Sequence, residues 1–192
     1  CGGREMTLVD LPGTYSLRPR SAEERVARDF LTGGEADAAI LVADATCLER
    51  NLILVLQVLE VLPNVIVCLN LMDEARKKRI RINIPALERE LGVPVVPCTA
   101  RRGRGLPTLM QAVCRVLDGE TVPHPTTIRY PTEIEDAVRA SGLARADALA
   151  ALSQQPPDGM DAQQLDDLFT AAAALRAGQP RGPAVLQALR FP

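Results

Sequence analysis

Val65-Ile66-Val67-Cys68-Leu69-Asn70-Leu71-Met72-Asp73 is the stretch on which the fold turns. A strand with one wet face alternates apolar and polar side chains, because successive residues point to opposite sides. Val65 to Leu69 does not alternate. An unbroken, β-branched apolar run of this length reads as a strand covered on both faces, as in parallel sheets. Asn70 breaks the run, and polar groups directly after such strands lie where open α/β sheets bind ligands.

Working outward, the same grammar repeats. Upstream, Met6-Thr7-Leu8-Val9 reads as a short strand entering the turn sequence Asp10-Leu11-Pro12-Gly13. Ser21-Ala22-Glu23-Glu24 has capping-box spacing, with Val26, Phe30 and Leu31 continuing on a helical face. Ala38 to Ala43 is a second apolar run of strand length, and Thr46-Cys47-Leu48-Glu49 is a second capping box, opening a helix to Leu62. Downstream, a helix is expected over Ile84 to Leu91, ended by Gly92, then a strand over Val95 to Cys98 and a helix over Leu106 to Leu117. Strand and helix alternate throughout, which predicts an α/β fold with a parallel sheet.

The character changes after residue 120. Pro123, Pro125 and Pro131 mark a connector, and Thr132 with Glu135 forms a third capping box. Asp161 opens another helical pattern through Leu165, Leu168, Phe169, Ala172 and Leu175, set off by Pro156-Pro157-Asp158-Gly159. The expected organisation is therefore an α/β domain over 1–120 and a small all-helical region over 121–192.

Composition narrows the function. Aromatic residues make up 3% of the 192 residues and hydrophobic residues 47%, so aliphatic side chains must pack the core. With 22 basic and 24 acidic residues and a net charge of −2, the chain lacks the basic surface of a nucleic-acid binder. Its one basic run, Arg76-Lys77-Lys78-Arg79, reads as a solvated helix end or loop. The five cysteines form no CxxC pair, and an odd count without a framework fits a reducing cytosol. His124, between two prolines, is read as neither ligand nor catalyst. No apolar run approaches the roughly 18 residues that span a bilayer.

Three strands end in groups suited to a nucleotide. In Asp10-Leu11-Pro12-Gly13, the carboxylate can hold the water shell of Mg²⁺ and the glycine lets a backbone N–H approach a terminal phosphate. By itself DxxG is a common turn sequence. In Asn70-Leu71-Met72-Asp73, the Asp carboxylate can accept two parallel hydrogen bonds, matching the N1–H and exocyclic N–H₂ of guanine. Adenine has no such donor pair there, and would leave the carboxylate unpaired. At Thr99-Ala100, small residues let a backbone N–H reach the guanine carbonyl. Sixty positions separate Asp10 from Asn70 and twenty-nine separate Asn70 from Thr99. The ordered set is far more specific than any member of it.

Several strings narrow the resemblance. Leu8-Val9-Asp10-Leu11-Pro12-Gly13-Thr14-Tyr15-Ser16-Leu17, Glu24-Arg25-Val26-Ala27-Arg28-Asp29-Phe30, Asp44-Ala45-Thr46-Cys47-Leu48-Glu49-Arg50-Asn51-Leu52 and Asn70-Leu71-Met72-Asp73-Glu74-Ala75 resemble the ferrous iron transport protein B family. Val93-Pro94-Val95-Val96-Pro97 followed by Thr99-Ala100-Arg101 resembles its fifth GTPase motif. The likeness covers residues 6 to 118. It implies a Ras-like P-loop GTPase fold, GTP or GDP with Mg²⁺ as ligands, slow GTP hydrolysis, and coupling to Fe²⁺ uptake. It also implies a membrane transport domain as partner, at the cytoplasmic face of a bacterial inner membrane.

On that resemblance Asp10 faces Mg²⁺, Gly13 the γ-phosphate, Asn70 and Asp73 the guanine, and Thr99, Ala100 and Arg101 close over the base. Leu11 and Pro12, and Leu71 and Met72, belong to the same binding strings. Leu71 stands where many GTPases have Lys. Thr14 stands where many have a water-orienting Gln, so no catalytic residue is assigned in this chain.

No GxxxxGK[ST] occurs in the 192 residues, and Gly2-Gly3 lacks the Lys and helix that such a loop needs. The expectation is a parallel sheet lacking its first strand and phosphate loop, with both lying upstream in a longer chain. A piece of that kind would bind GTP very weakly and be poorly stable, and iron would touch no residue of it. Two other readings stand beside this one: a soluble GTPase of ribosome assembly or tRNA modification, and a non-catalytic regulatory module.

Overall fold

The computed structural model describes residues 5–13, 22–130, 132–142, 145, 148 and 149. Its elements are α1 (Ala22–Thr32), β1 (Ala39–Asp44), α2 (Leu48–Leu59), β2 (Val65–Asn70), α3 (Met72–Lys77), α4 (Ile84–Leu91), β3 (Val95–Pro97), α5 (Leu106–Leu117) and α6 (Thr132–Ala140). The expected helix beginning at Asp161 lies outside the described residues, as do Thr14 to Ser21. The chain divides into two compact units, 1–128 and 129–192.

β2 is the centre of a three-stranded parallel sheet in the order β1-β2-β3. Val65, Ile66, Val67, Cys68 and Leu69 are all buried, as the unalternating run requires. Ile66 and Cys68 face one way, into a cluster with Val96, Cys98 and the α5 residues Leu109, Val113 and Val116. Val65, Val67 and Leu69 alternate to the other face, and α2 packs on β1 and β2 while α4 packs on β3. Each fully buried aliphatic side chain contributes about 1.5–3 kcal/mol over leaving it in water. This double coverage holds β2, and therefore Asn70 at its end, in a fixed place.

Local signals explain the helices. Asn83 caps α4, its side chain accepting from the Ala86 N–H, and Gly92 ends it in the left-handed conformation. The chain then runs past α5 and back over that end, with the N–H groups of His124 and Thr126 donating to Gly92 and Leu91 carbonyls at 2.9 Å.

Some sequence expectations need correction. Met6 to Val9 is not a strand: it joins no ladder among the described residues, and Leu8 is 85% exposed. An apolar pattern becomes a strand only when a neighbour takes its backbone groups; here only Met6 packs against the core cluster. The Thr46 capping box does not form either. Cys47 is the N-cap of α2 without a side-chain cap bond, and the Thr46 N–H donates to the Asp44 carboxylate at 2.7 Å. Asp44 lies two residues from Thr46 and Glu49 three, and the nearer carboxylate takes the donor. α3 was not foreseen, because its six residues are too short for a periodic signal. Among the cysteines, Cys114 is disulfide-bonded, against the expectation of cysteines without a disulfide framework in a reducing cytosol.

In the second described unit, Glu135 reaches back to the Tyr130 N–H at 3.0 Å, ahead of α6. Arg145 pairs with both oxygens of Glu135, at 2.7 and 2.8 Å, and its guanidinium lies over the Tyr130 ring.

Candidate nucleotide-binding site

β2 and β3 run parallel, so their carboxyl ends open on the same edge of the sheet. Three bonds sew that edge together. The Cys98 N–H donates to the Leu69 carbonyl at 2.8 Å, and the Met72 N–H to the Cys98 carbonyl at 3.1 Å. The third is a side-chain bond: the Ala100 N–H donates to Asn70 Oδ1 at 3.0 Å.

Leu71 makes the first reversal possible. It sits at φ 61°, in the left-handed region that a branched residue rarely adopts. Such conformations persist where surrounding structure enforces them, and they gather at functional sites. Turning there sends the chain straight from β2 into α3 and places Asp73 in its first turn, beside the segment that follows β3.

That segment is a tight knot. Thr99 is buried and its N–H donates to the Arg104 carbonyl at 2.9 Å. Ala100–Arg102 form a 3₁₀ turn closed by Arg102 N–H to Thr99 and Gly103 N–H to Ala100, both at 2.9 Å. Gly105 is at φ 84°, and a Cβ there would run into the Pro97 carbonyl oxygen.

The knot delivers Arg101 to α3. Its Nη2 donates to Asp73 Oδ2 and to Glu74 Oε1, each at 2.8 Å, while Arg102 Nε lies 3.8 Å from the same Asp73 oxygen. The Arg101 guanidinium holds the Asp73 carboxyl below its ordinary range. Glu74 is lowered chiefly by Lys77, which donates to it at 3.0 Å. The other Asp73 oxygen, Oδ1, is buried and forms no well-aligned hydrogen bond among the described residues, though the Glu74 backbone N–H also helps to lower the carboxyl. A buried orphan acceptor beside a paired one is a carboxylate with unused capacity, which is costly to leave unmet.

Asn70, Asp73, Ala100 and Arg101 are thus joined by hydrogen bonds, with Leu71 and Met72 forming the turn between the first two and Thr99 anchoring the knot. The sequence offers a backbone N–H of Thr99-Ala100 to the guanine carbonyl; here the Ala100 N–H is engaged by Asn70 and the Thr99 N–H by Arg104, so either would have to be shared with a base. Asp10, Leu11, Pro12 and Gly13 form a separate loop. Asp10 and Gly13 are exposed, and no hydrogen bond or ion pair ties the four to the Asn70 cluster among the described residues. An exposed carboxylate with no partner among the described residues would suit Mg²⁺, which keeps several waters and takes few carboxylates. Sequence reasoning missed Glu74, whose role is visible only through Arg101, and the left-handed turn at Leu71.

Residues 1–113 match the family described as Ferrous iron transport protein B. The chain belongs to that family. The Fe(2+) transporter FeoB of Escherichia coli K12 is 48% identical over 122 residues, covering 62% of this chain and 16% of that protein. The FeoB of Salmonella typhimurium is 48% identical over 115 residues, covering 58% of this chain and 15% of that protein. The match to these FeoB relatives therefore spans about a sixth of their length.

Solved FeoB structures share the fold. The mGMPPNP-bound NFeoB of S. thermophilus matches 88% of this chain and 68% of its own at 30% identity, with a TM-score of 0.74. The cytosolic domain of T. maritima FeoB in GDP form II matches 92% and 68% at 30% identity, with a TM-score of 0.71. The FeoB G-domain of Methanococcus jannaschii is 42% identical over 57% of this chain and 70% of its own, with a TM-score of 0.56. Among the described residues of this FeoB-family chain, no helix is long and apolar enough to cross a membrane.

Proposed function

We propose that this chain carries the guanine-reading and Mg²⁺-facing part of a GTP-binding domain serving ferrous iron transport. The observation that carries the reading is the Asn70–Ala100 bond. By joining the ends of β2 and β3 it sets the Asp73 carboxylate beside the Thr99–Arg101 knot, the arrangement a planar base needs on its edge and its rim. Asp73 would accept N1–H and N–H₂ of guanine, and the knot would cover the base. Asp10 would hold the hydrated Mg²⁺, and the metal, when bound, offsets phosphate charge.

The relatives' names supply the wider proposal. Fe²⁺ transport is in the relatives' name; GTP hydrolysis coupled to a membrane transport domain would complete it, with this part working at the cytoplasmic face of a bacterial inner membrane. The region from residue 121 onward is proposed to be a helical linker. Within the 192 residues no GxxxxGK[ST] cradles the phosphates, so affinity here should rest on the base and be weak.

Titration of the ¹⁵N-labelled chain with GMP and with AMP tests this. The expected result is saturable shifts at Asn70–Asp73 and Thr99–Arg101 with GMP and little response to AMP. Equal responses to both, or shifts elsewhere, would refute the guanine reading.

A further inference from the structure

The pairing of Arg101 with Asp73 has the same chemistry as the pairing of guanine with Asp73. A guanidinium presents planar N–H donors to a carboxylate, and so does the N1–H and N–H₂ edge of guanine. In the structure the Arg101 Nη2 takes Oδ2 and is held from its other side by Glu74. Arg102 adds a second positive charge near the same oxygen. Oδ1 is buried, so it cannot meet a base side by side with Oδ2 unless the carboxylate turns. Turning it means opening the Arg101 pair.

We propose that Arg101 is a latch on the base site, competing with guanine for the Asp73 carboxylate and so limiting how tightly guanine is held. The proposal rests on the guanine reading of Asp73. The latch is built by the fold: the 3₁₀ turn and the Asn70 strut fix the backbone of Arg101, and the left-handed Leu71 aims α3 at it. Binding of a base would release the guanidinium, still tethered through Glu74, at the rim of the site. The Arg101 backbone thus belongs to the knot over the base while its side chain limits affinity, so truncating that side chain strengthens binding.

The Arg101 side chain is 54% exposed, so its replacement should leave the fold intact. An exposed ion pair is weak, and its loss should tighten GMP binding by roughly two- to five-fold. The experiment is NMR titration of wild type, Arg101→Ala and Arg101→Lys with GMP and AMP, with the Asp73 carboxyl followed by ¹³C before ligand is added. Expected are tighter GMP binding by Arg101→Ala, an intermediate value for Arg101→Lys, and an Asp73 carboxyl that titrates higher once Arg101 is gone. A wild type that prefers GMP to AMP, with Arg101→Ala equal or weaker for GMP, overturns the latch alone. A wild type with no preference for GMP overturns the guanine reading and the latch together.

Discussion

Asn70 Oδ1 accepts a hydrogen bond from the backbone N–H of Ala100 at 3.0 Å, across thirty residues of chain. The bond converts two strand ends into one site, because it fixes the segment after β3 relative to the turn after β2. Removing it should therefore loosen the knot while leaving the sheet in place. Asn70→Ala is expected to cost about 0.5–1.5 kcal/mol of stability, the net worth of one such bond. Urea unfolding gives the loss, and hydrogen exchange at the Ala100 amide should accelerate. An unchanged Ala100 exchange rate would show that the strut does not order the knot.

The knot also depends on Gly105, in a way a paired substitution can expose. Gly105 is at φ 84°, and a Cβ there meets the Pro97 carbonyl oxygen and, at 2.9 Å, Cys98 Sγ. Gly103 is at φ 68° with open space around its Cβ position. Gly103→Ala should thus cost only the left-handed backbone penalty, about 1–2 kcal/mol. Gly105→Ala adds the clash and should cost about 2–4 kcal/mol. Equal losses in thermal or urea unfolding would contradict the packing seen here.

The second described unit makes a pH prediction. Hydrogen bonds from Arg145, then from the Tyr130 N–H, lower the Glu135 carboxyl from 4.5 to about 2. A carboxyl lowered on folding contributes stability that is fully present above its ordinary value and fades as pH falls through the folded value. The contribution should hold above pH 4.5 and drain away toward about pH 2. A ¹³C titration of Glu135 should show the low midpoint in wild type and a return toward the ordinary carboxylate range in Arg145→Ala. A midpoint unmoved by Arg145→Ala would remove the ion pair as its cause.

Much of the fold was legible because it rests on burial, which a sequence records residue by residue. Val65 to Leu69 predicted a doubly covered strand, and Gly92 marked the end of α4. The misreadings arise where pattern depends on a partner. Met6 to Val9 has a strand's residues, but nothing pairs with it among the described residues. Thr46 and Glu49 have capping spacing, but Asp44 takes the Thr46 N–H. For the site, the order of Asp10, Asn70, Asp73 and Thr99 was readable as chemistry. The pairing of Arg101 with Asp73 was not, since twenty-eight positions separate them and only the turn geometries at Leu71 and Ala100–Arg102 bring them together.

If the Asp73 carboxylate reads guanine, swapping acceptor for donor at that one position should change which base is preferred. An Asn amide can accept from N1–H and donate to a carbonyl at C2, which xanthine has in place of the guanine N–H₂. Affinities of wild type and Asp73→Asn for GMP and for xanthosine monophosphate, measured by NMR titration, should therefore cross. Wild type should prefer GMP and Asp73→Asn the xanthine nucleotide. A variant that keeps the wild-type preference for GMP would contradict it.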